Sequence, residues 1–155
     1  MKIIILAVGS INKSFIKDGI NFFVSKIKKY SKIEIIETKE FNNKSKMQNI
    51  KSETIFINNK LKSYNDFYKI ILDINGNQIN SIFFSDIMSE CKNFKNGKIL
   101  FIIGGSNGID YDFLDKTDKK ITFGKITFPH QLFRLILVEQ IYRRFKIINN
   151  EKYHK

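Results

Sequence analysis

Three short loops in this chain carry residue types from which a ligand pocket can be built. Residues 101–110, FIIGGSNGID, place Gly104 and Gly105 side by side and Gly108 three positions on, directly after an apolar run. Glycine at a strand end serves either a tight turn or the close approach of backbone to a ligand. Residues 72–76, LDING, end in Asn75-Gly76, and residues 123–128, FGKITF, set backbone donors and acceptors between two aromatic rings, a combination suited to gripping an adenine. Ordinary turn chemistry explains each loop singly. Together they fall at the C-terminal ends of successive predicted strands, the edge at which open α/β sheets bind ligands, so they can line one pocket.

Familiar catalytic patterns fail. GGSNG is not GxGxxG, and it follows the fourth predicted strand instead of the first, which removes a dinucleotide fingerprint. Lys125 lacks the neighbouring hydroxyl of a phosphate-binding P-loop. Cys91, His130 and His154 are scattered without ligand spacing, which predicts that no metal is bound. Ser106 occupies no GxSxG elbow, so serine hydrolysis is a poor reading.

The net charge of +12 comes from 27 Lys and Arg against 15 Asp and Glu. It points to a polyanionic partner. The crowding of Lys, Asn, Ile and Phe with a single Pro is also what an AT-rich genome encodes, and charge alone does not separate the two causes. Arginine is more selective. Arg134, Arg143 and Arg144, the three arginines of the chain, fall within eleven residues, and a guanidinium fork suits bidentate contact with phosphate or carboxylate. Contact with nucleic acid and buried ion pairing with Glu139, Asp110 or Asp112 both account for them.

The elements that hold these loops alternate. Residues 2–8, a continuous apolar run, together with 32–38, 68–74, 98–103 and 121–123 read as five strands. Helices are predicted over 14–30, from the polar loop 39–48 to about Leu61, over 79–94 with Ser81 as N-cap, over 111–115, and from Pro129 to about Ile147. Strand and helix repetition with buried strands predicts an α/β fold with a mostly parallel sheet, and 155 residues suit a single domain. Leu132, Phe133, Leu135, Ile136, Val138, Ile141 and Phe145 point nearly all round the last helix. A symmetric dimer through that helix is the simplest cover, and enclosure by its own chain is the alternative. No apolar run approaches the roughly 20 residues of a membrane span. The lone Cys91 excludes an internal disulfide and suits a reducing compartment, so the expected location is cytoplasmic.

GGSNG after a strand, TFPHQLFRLILVEQIYRRFKI over 127–147 and a terminal YHK closely resemble, in order, spacing and total length, the RlmH family of SPOUT-class ribosomal RNA methyltransferases. The resemblance implies a Rossmann-like sheet whose C-terminal part is threaded into a deep trefoil knot, a homodimer, and S-adenosylmethionine as methyl donor. The implied acceptor is a pseudouridine of 23S rRNA, methylated at N3 in the intersubunit-bridge hairpin of the assembled ribosome. Carried onto this sequence, the cofactor pocket would use Leu72, Gly104, Phe123, Gly124, Lys125, Ile126, Thr127 and Phe128. The family's PHxLxR pattern is met by Pro129, His130, Leu132 and Arg134, and its YR pair by Tyr142 and Arg143. Arg134, Arg143, Tyr153 and His154 would serve the RNA side. Arg143 and His154 are the catalytic candidates, the imidazole as proton acceptor because it titrates near neutrality. Ser10 and Asn77 depart from the pattern, standing where lysine is common in the family. Lys26, Lys28, Lys29, Lys44 and Lys46 suit either rRNA phosphates or plain solvated faces. A basic RNA-binding assembly factor that kept the fold without catalysis is the second reading.

Overall fold

The loops singled out above leave the C-terminal edge of a five-stranded sheet. The computed structural model describes residues 1–151. Its elements run β1 (Lys2–Val8), α1 (Ser14–Ile27), β2 (Lys32–Thr38), α2 (Lys46–Leu61), β3 (Tyr68–Gln78), α3 (Ser81–Phe94), β4 (Lys98–Ile103), β5 (Lys119–Thr122) and α4 (His130–Ile148), with a 3-10 turn at Lys62–Tyr64 closing α2. All neighbouring strands are parallel, in the order β2-β1-β4-β3-β5. The α/β expectation holds.

Side-chain alternation along β1 builds two cores. Ile3, Ile5 and Ala7 join residues of α1, α3 and α4, while Ile4, Leu6 and Val8 join Ile57 and Leu61 of α2. With helices on both faces the strand has no exposed side, which is why it reads as one unbroken apolar run.

Several boundaries differ from the sequence reading. α1 stops at Ile27, and Tyr30 leaves the helix to stack on Phe145 with ring centroids 5.1 Å apart. Asn80, not Ser81, caps α3: its Oδ1 accepts the Phe83 N–H at 2.8 Å, while Ser81 donates to Gln140 Oε1 at 2.7 Å. Residues 111–115 form turns instead of a helix, because side chains take their backbone groups. Asp110 Oδ1 accepts from the Asp112 N–H, and Asn58 accepts from the Asp115 N–H and donates to the Phe113 carbonyl. β5 starts two residues early, where Asp118 exchanges hydrogen bonds with the backbone of Lys69.

β3 is longer than expected and meets β5 twice, with Leu72 and Asn77 both opposite Ile121. Residues 73–76 loop out of the ladder between those pairings. Gly76 returns so close to β5 that a Cβ on it would lie 2.5 Å from the Ile121 carbonyl carbon. No side chain fits there.

α4 obtains most of its cover from its own chain, packing against both α1 and α3, and Leu137, Val138, Ile141 and Phe145 are buried. The apolar pattern around this helix therefore does not by itself demand a second subunit. Cys91 lies in the same core, its thiol pushed up to about 11 chiefly by burial. That leaves about a hundredfold less thiolate at neutral pH than an ordinary cysteine has. An alkylating reagent at pH 8 is expected to leave the native protein unmodified and to label it fully in denaturant, as read by mass. Rapid labelling of the native protein would contradict the burial.

Candidate active site

Leu72, Asp73 and Ile74 of β3, residues 104–109 after β4, and Thr122, Gly124 and 126–130 around the end of β5 line one cleft of about 760 Å³, together with Ile103 and Phe133. That is the size of a small-molecule site. Of the residues expected to hold a cofactor, Leu72, Gly104, Gly124, Ile126, Thr127 and Phe128 line it. Phe123 does not, because its ring packs at 5.5 Å from both Phe84 and Phe133. Lys125 is exposed and also outside the lining.

Local chemistry shapes each loop. Asp73 Oδ1 accepts the Asn75 N–H at 2.8 Å, an Asx turn that carries the chain out of the β3 ladder. Gly124 holds a φ of +150°, and Thr122 Oγ1 donates to its carbonyl at 2.7 Å. Gly104 and Gly105 make room for the protein itself: a Cβ on Gly104 would meet Ile109 Cγ1 at 2.7 Å, and one on Gly105 would meet Glu53 Oε2 at 2.6 Å. The adjacent glycines thus fold their loop onto Ile109 and α2. Among the described residues, no hydrogen bond engages the backbone N–H of Ile126, Thr127 or Phe128.

A polar chain runs along the rim of the cleft. Ser106 Oγ donates to Glu40 Oε1 at 2.9 Å, and His130 Nδ1 lies 3.3 Å from the same hydroxyl. An ionised carboxylate can only accept, so the serine hydrogen belongs to Glu40 and a lone pair faces His130, whose Nδ1 carries the hydrogen. Burial lowers the His130 pKa, Glu40 opposes that, and the Arg134 charge adds to it. Nε2 of the neutral ring is then a bare acceptor, buried without a partner. This order is wrong for a serine nucleophile, which must give its proton to the imidazole. Glu40 is 66 positions from Ser106, and no local spacing announces the pair.

The arginines divide. Arg134, expected on the RNA side, is fully buried and donates to Glu37 Oε1 at 2.9 Å, to the Gly9 carbonyl at 2.7 Å and to the Val8 carbonyl. It ties α4 to the ends of β1 and β2, where no phosphate reaches it, so the expectation of RNA contact is corrected. Arg144 is buried over the Phe145 ring at 4.7 Å, and burial lowers its pKa to about 10. Arg143 is half-buried and donates to Glu139 Oε1 at 3.1 Å from Nε and 2.8 Å from Nη2. Ion pairing accounts for Arg134 and Arg143, with Glu37 in place of Asp110 and Asp112. Tyr153 and His154 lie outside the described residues.

Among the described residues no three His, Cys, Asp or Glu side chains gather to hold a metal, and no helix is long and apolar enough to cross a membrane. A family model described as "Predicted SPOUT methyltransferase" matches residues 1–154. Proteins named ribosomal RNA large subunit methyltransferase H are similar along 100% of both chains. Identity is 47% over 156 residues with that of Mycoplasma capricolum subsp. capricolum, 43% over 155 residues with that of Mesoplasma florum, and 42% over 156 residues with that of Fusobacterium nucleatum subsp. nucleatum. With a parallel α/β sheet gathering three loops at one edge, and kinship of this degree over its full length, the chain belongs to the SPOUT methyltransferase family and, within it, to RlmH.

Proposed function

We propose that this protein transfers a methyl group from S-adenosylmethionine to N3 of a pseudouridine in 23S rRNA, acting as a homodimer on the assembled ribosome. The observation that carries the reading is the single cleft made by three loops, lined by six of the positions the family pattern gives to the cofactor.

The residues present fit such a group. The unengaged amides of Ile126, Thr127 and Phe128 offer a donor edge to an adenine, with Leu72, Ile103 and Phe133 as apolar walls and with Gly104 and Gly124 in the lining. When bound, S-adenosylmethionine supplies a methyl group already activated on a sulfonium. What the chain adds is alignment of donor and acceptor, exclusion of water, and control of charge. The family's threaded knot belongs to the same reading.

Arg143 stands about 20 Å along α4 from His130 at a rise of 1.5 Å per residue, too far to act in the cleft of its own chain. A second copy would bring Arg143, and with it Tyr153 and His154, to that cleft. Exposed Ile74, Ile126 and Phe128 beside it supply apolar surface for the contact. Arg143, oriented by Glu139, then stabilises the imide anion formed as N3 loses its proton to His154. The test uses ribosomes from cells lacking the gene and S-adenosylmethionine with a labelled methyl group. Mass mapping is expected to find one label on one pseudouridine of 23S rRNA. Ribosomes that bind the protein and stay unlabelled would leave the RNA-binding factor as the reading.

A further inference from the structure

The chain of Glu40, Ser106 and His130 leaves one strong acceptor open. Ser106 Oγ has one hydrogen and two lone-pair positions. The hydrogen goes to Glu40 Oε1 at 2.9 Å and one lone pair faces His130 Nδ1 at 3.3 Å. Ser106 is exposed and lines the cleft, so the second lone pair is accessible to a ligand. Carboxyl groups stand behind it. Glu40 is hydrogen-bonded to it and supplies the charge; Glu53 lies against the neighbouring Gly105 with Oε2 buried and unpartnered, and burial, with Glu40 nearby, raises its pKa and opposes a second charge there. Arg134, the cation whose charge reaches His130, is already committed to Glu37 and two carbonyls. The corner is therefore negative and offers an oxygen polarised by an anion.

We infer that this corner is a subsite for an aliphatic ammonium group and, on the reading that the cleft holds S-adenosylmethionine, for the α-ammonium of its amino-acid end. The remaining parts of that molecule match it less well. Adenine and ribose donors are neutral, a sulfonium has no hydrogen to donate, and an α-carboxylate is repelled by Glu40. A charged donor forms with Ser106 a hydrogen bond strengthened at both ends, by its own charge and by the Glu40 carboxylate beyond.

Calorimetry on the full-length protein tests this with two ligands. S-adenosylhomocysteine carries the amino acid, and 5′-methylthioadenosine keeps the nucleoside and sulfur without it. Ser106→Ala and Glu40→Gln are each expected to weaken S-adenosylhomocysteine about tenfold or more and to leave 5′-methylthioadenosine within about twofold. Equal losses for both ligands, or none for S-adenosylhomocysteine, overturn the subsite. The unaltered protein gives an independent reading should a variant fold poorly. A desamino analogue of S-adenosylhomocysteine is expected to bind it about tenfold more weakly than the parent, and equal affinity overturns the subsite. Binding of neither nucleoside by the unaltered protein overturns the cofactor reading and the subsite with it.

Discussion

Gly76→Ala is expected to remove about 3 kcal/mol of stability, the upper end of what overpacking costs, and to lower the melting temperature by roughly 10 °C. The reason is what the new methyl would meet. A Cβ at Gly76 lies 2.5 Å from the Ile121 carbonyl carbon and 2.7 Å from both its nitrogen and its oxygen. A crowded side chain rotates away, but here backbone meets backbone and the strands must separate. Leu72 and Asn77 both pair with Ile121, so the separation also disturbs the loops that begin at Leu72 and Thr122. Affinity for S-adenosylhomocysteine is expected to fall along with stability. Gly108→Ala is the control. Its φ of +93° makes alanine strained, yet its Cβ would meet nothing within 4 Å, so only the backbone term remains, about 1–2 kcal/mol. Thermal melts at one protein concentration compare the two. A Gly76→Ala melt no lower than that of Gly108→Ala would show that β3 and β5 do not approach as described.

The same two strands mark where the sequence is legible and where it is not. β1, β2 and β4 have the bounds read from the sequence. β1 and β4, covered on both faces, must be apolar nearly throughout, while β2, at the sheet edge, shows itself by β-branched residues among its charges. β3 exceeds its run because Asn77 and Gln78 are held by pairing with β5, a contact that carries no hydrophobic signature. The three loops are legible as one pocket because strand order forces their ends to a common edge. The part played by Glu40 is not. It depends on the loop after β2 reaching across to the loop after β4, and β1 lies between those strands in the sheet. Arg134 misleads for a related reason: phosphate and buried carbonyls satisfy a guanidinium equally well, and only the fold decides which of them it meets.

Arg134 gives the second large effect. Arg134→Met keeps much of the side-chain volume but leaves the Val8 and Gly9 carbonyls without a donor and the Glu37 carboxylate without its ion pair. Breaking a buried pair from one side costs about 3–5 kcal/mol. Glu37 is 37% exposed and water recovers part of its solvation, so about 3 kcal/mol is expected. Glu37→Gln keeps an acceptor oxygen but leaves the buried guanidinium without its counter-charge, and is expected to cost about 2–3 kcal/mol. Acid stability distinguishes this clamp from a generic core defect. His130 has a lowered pKa in the folded protein, so the unfolded chain binds more protons below about pH 6.5. Its contribution is therefore complete above that pH and is lost as pH falls from 6.5 towards the folded value. Arg134 is one cause of the lowering, so without its charge the folded pKa moves back towards the ordinary value and the loss through His130 shrinks. The variant should thus be less stable at pH 8 yet show a shallower decline between pH 6.5 and 5, as measured by urea unfolding. An Arg134 that served RNA instead would leave both the pH 8 stability and the acid slope unchanged and would lower only the salt dependence of rRNA binding.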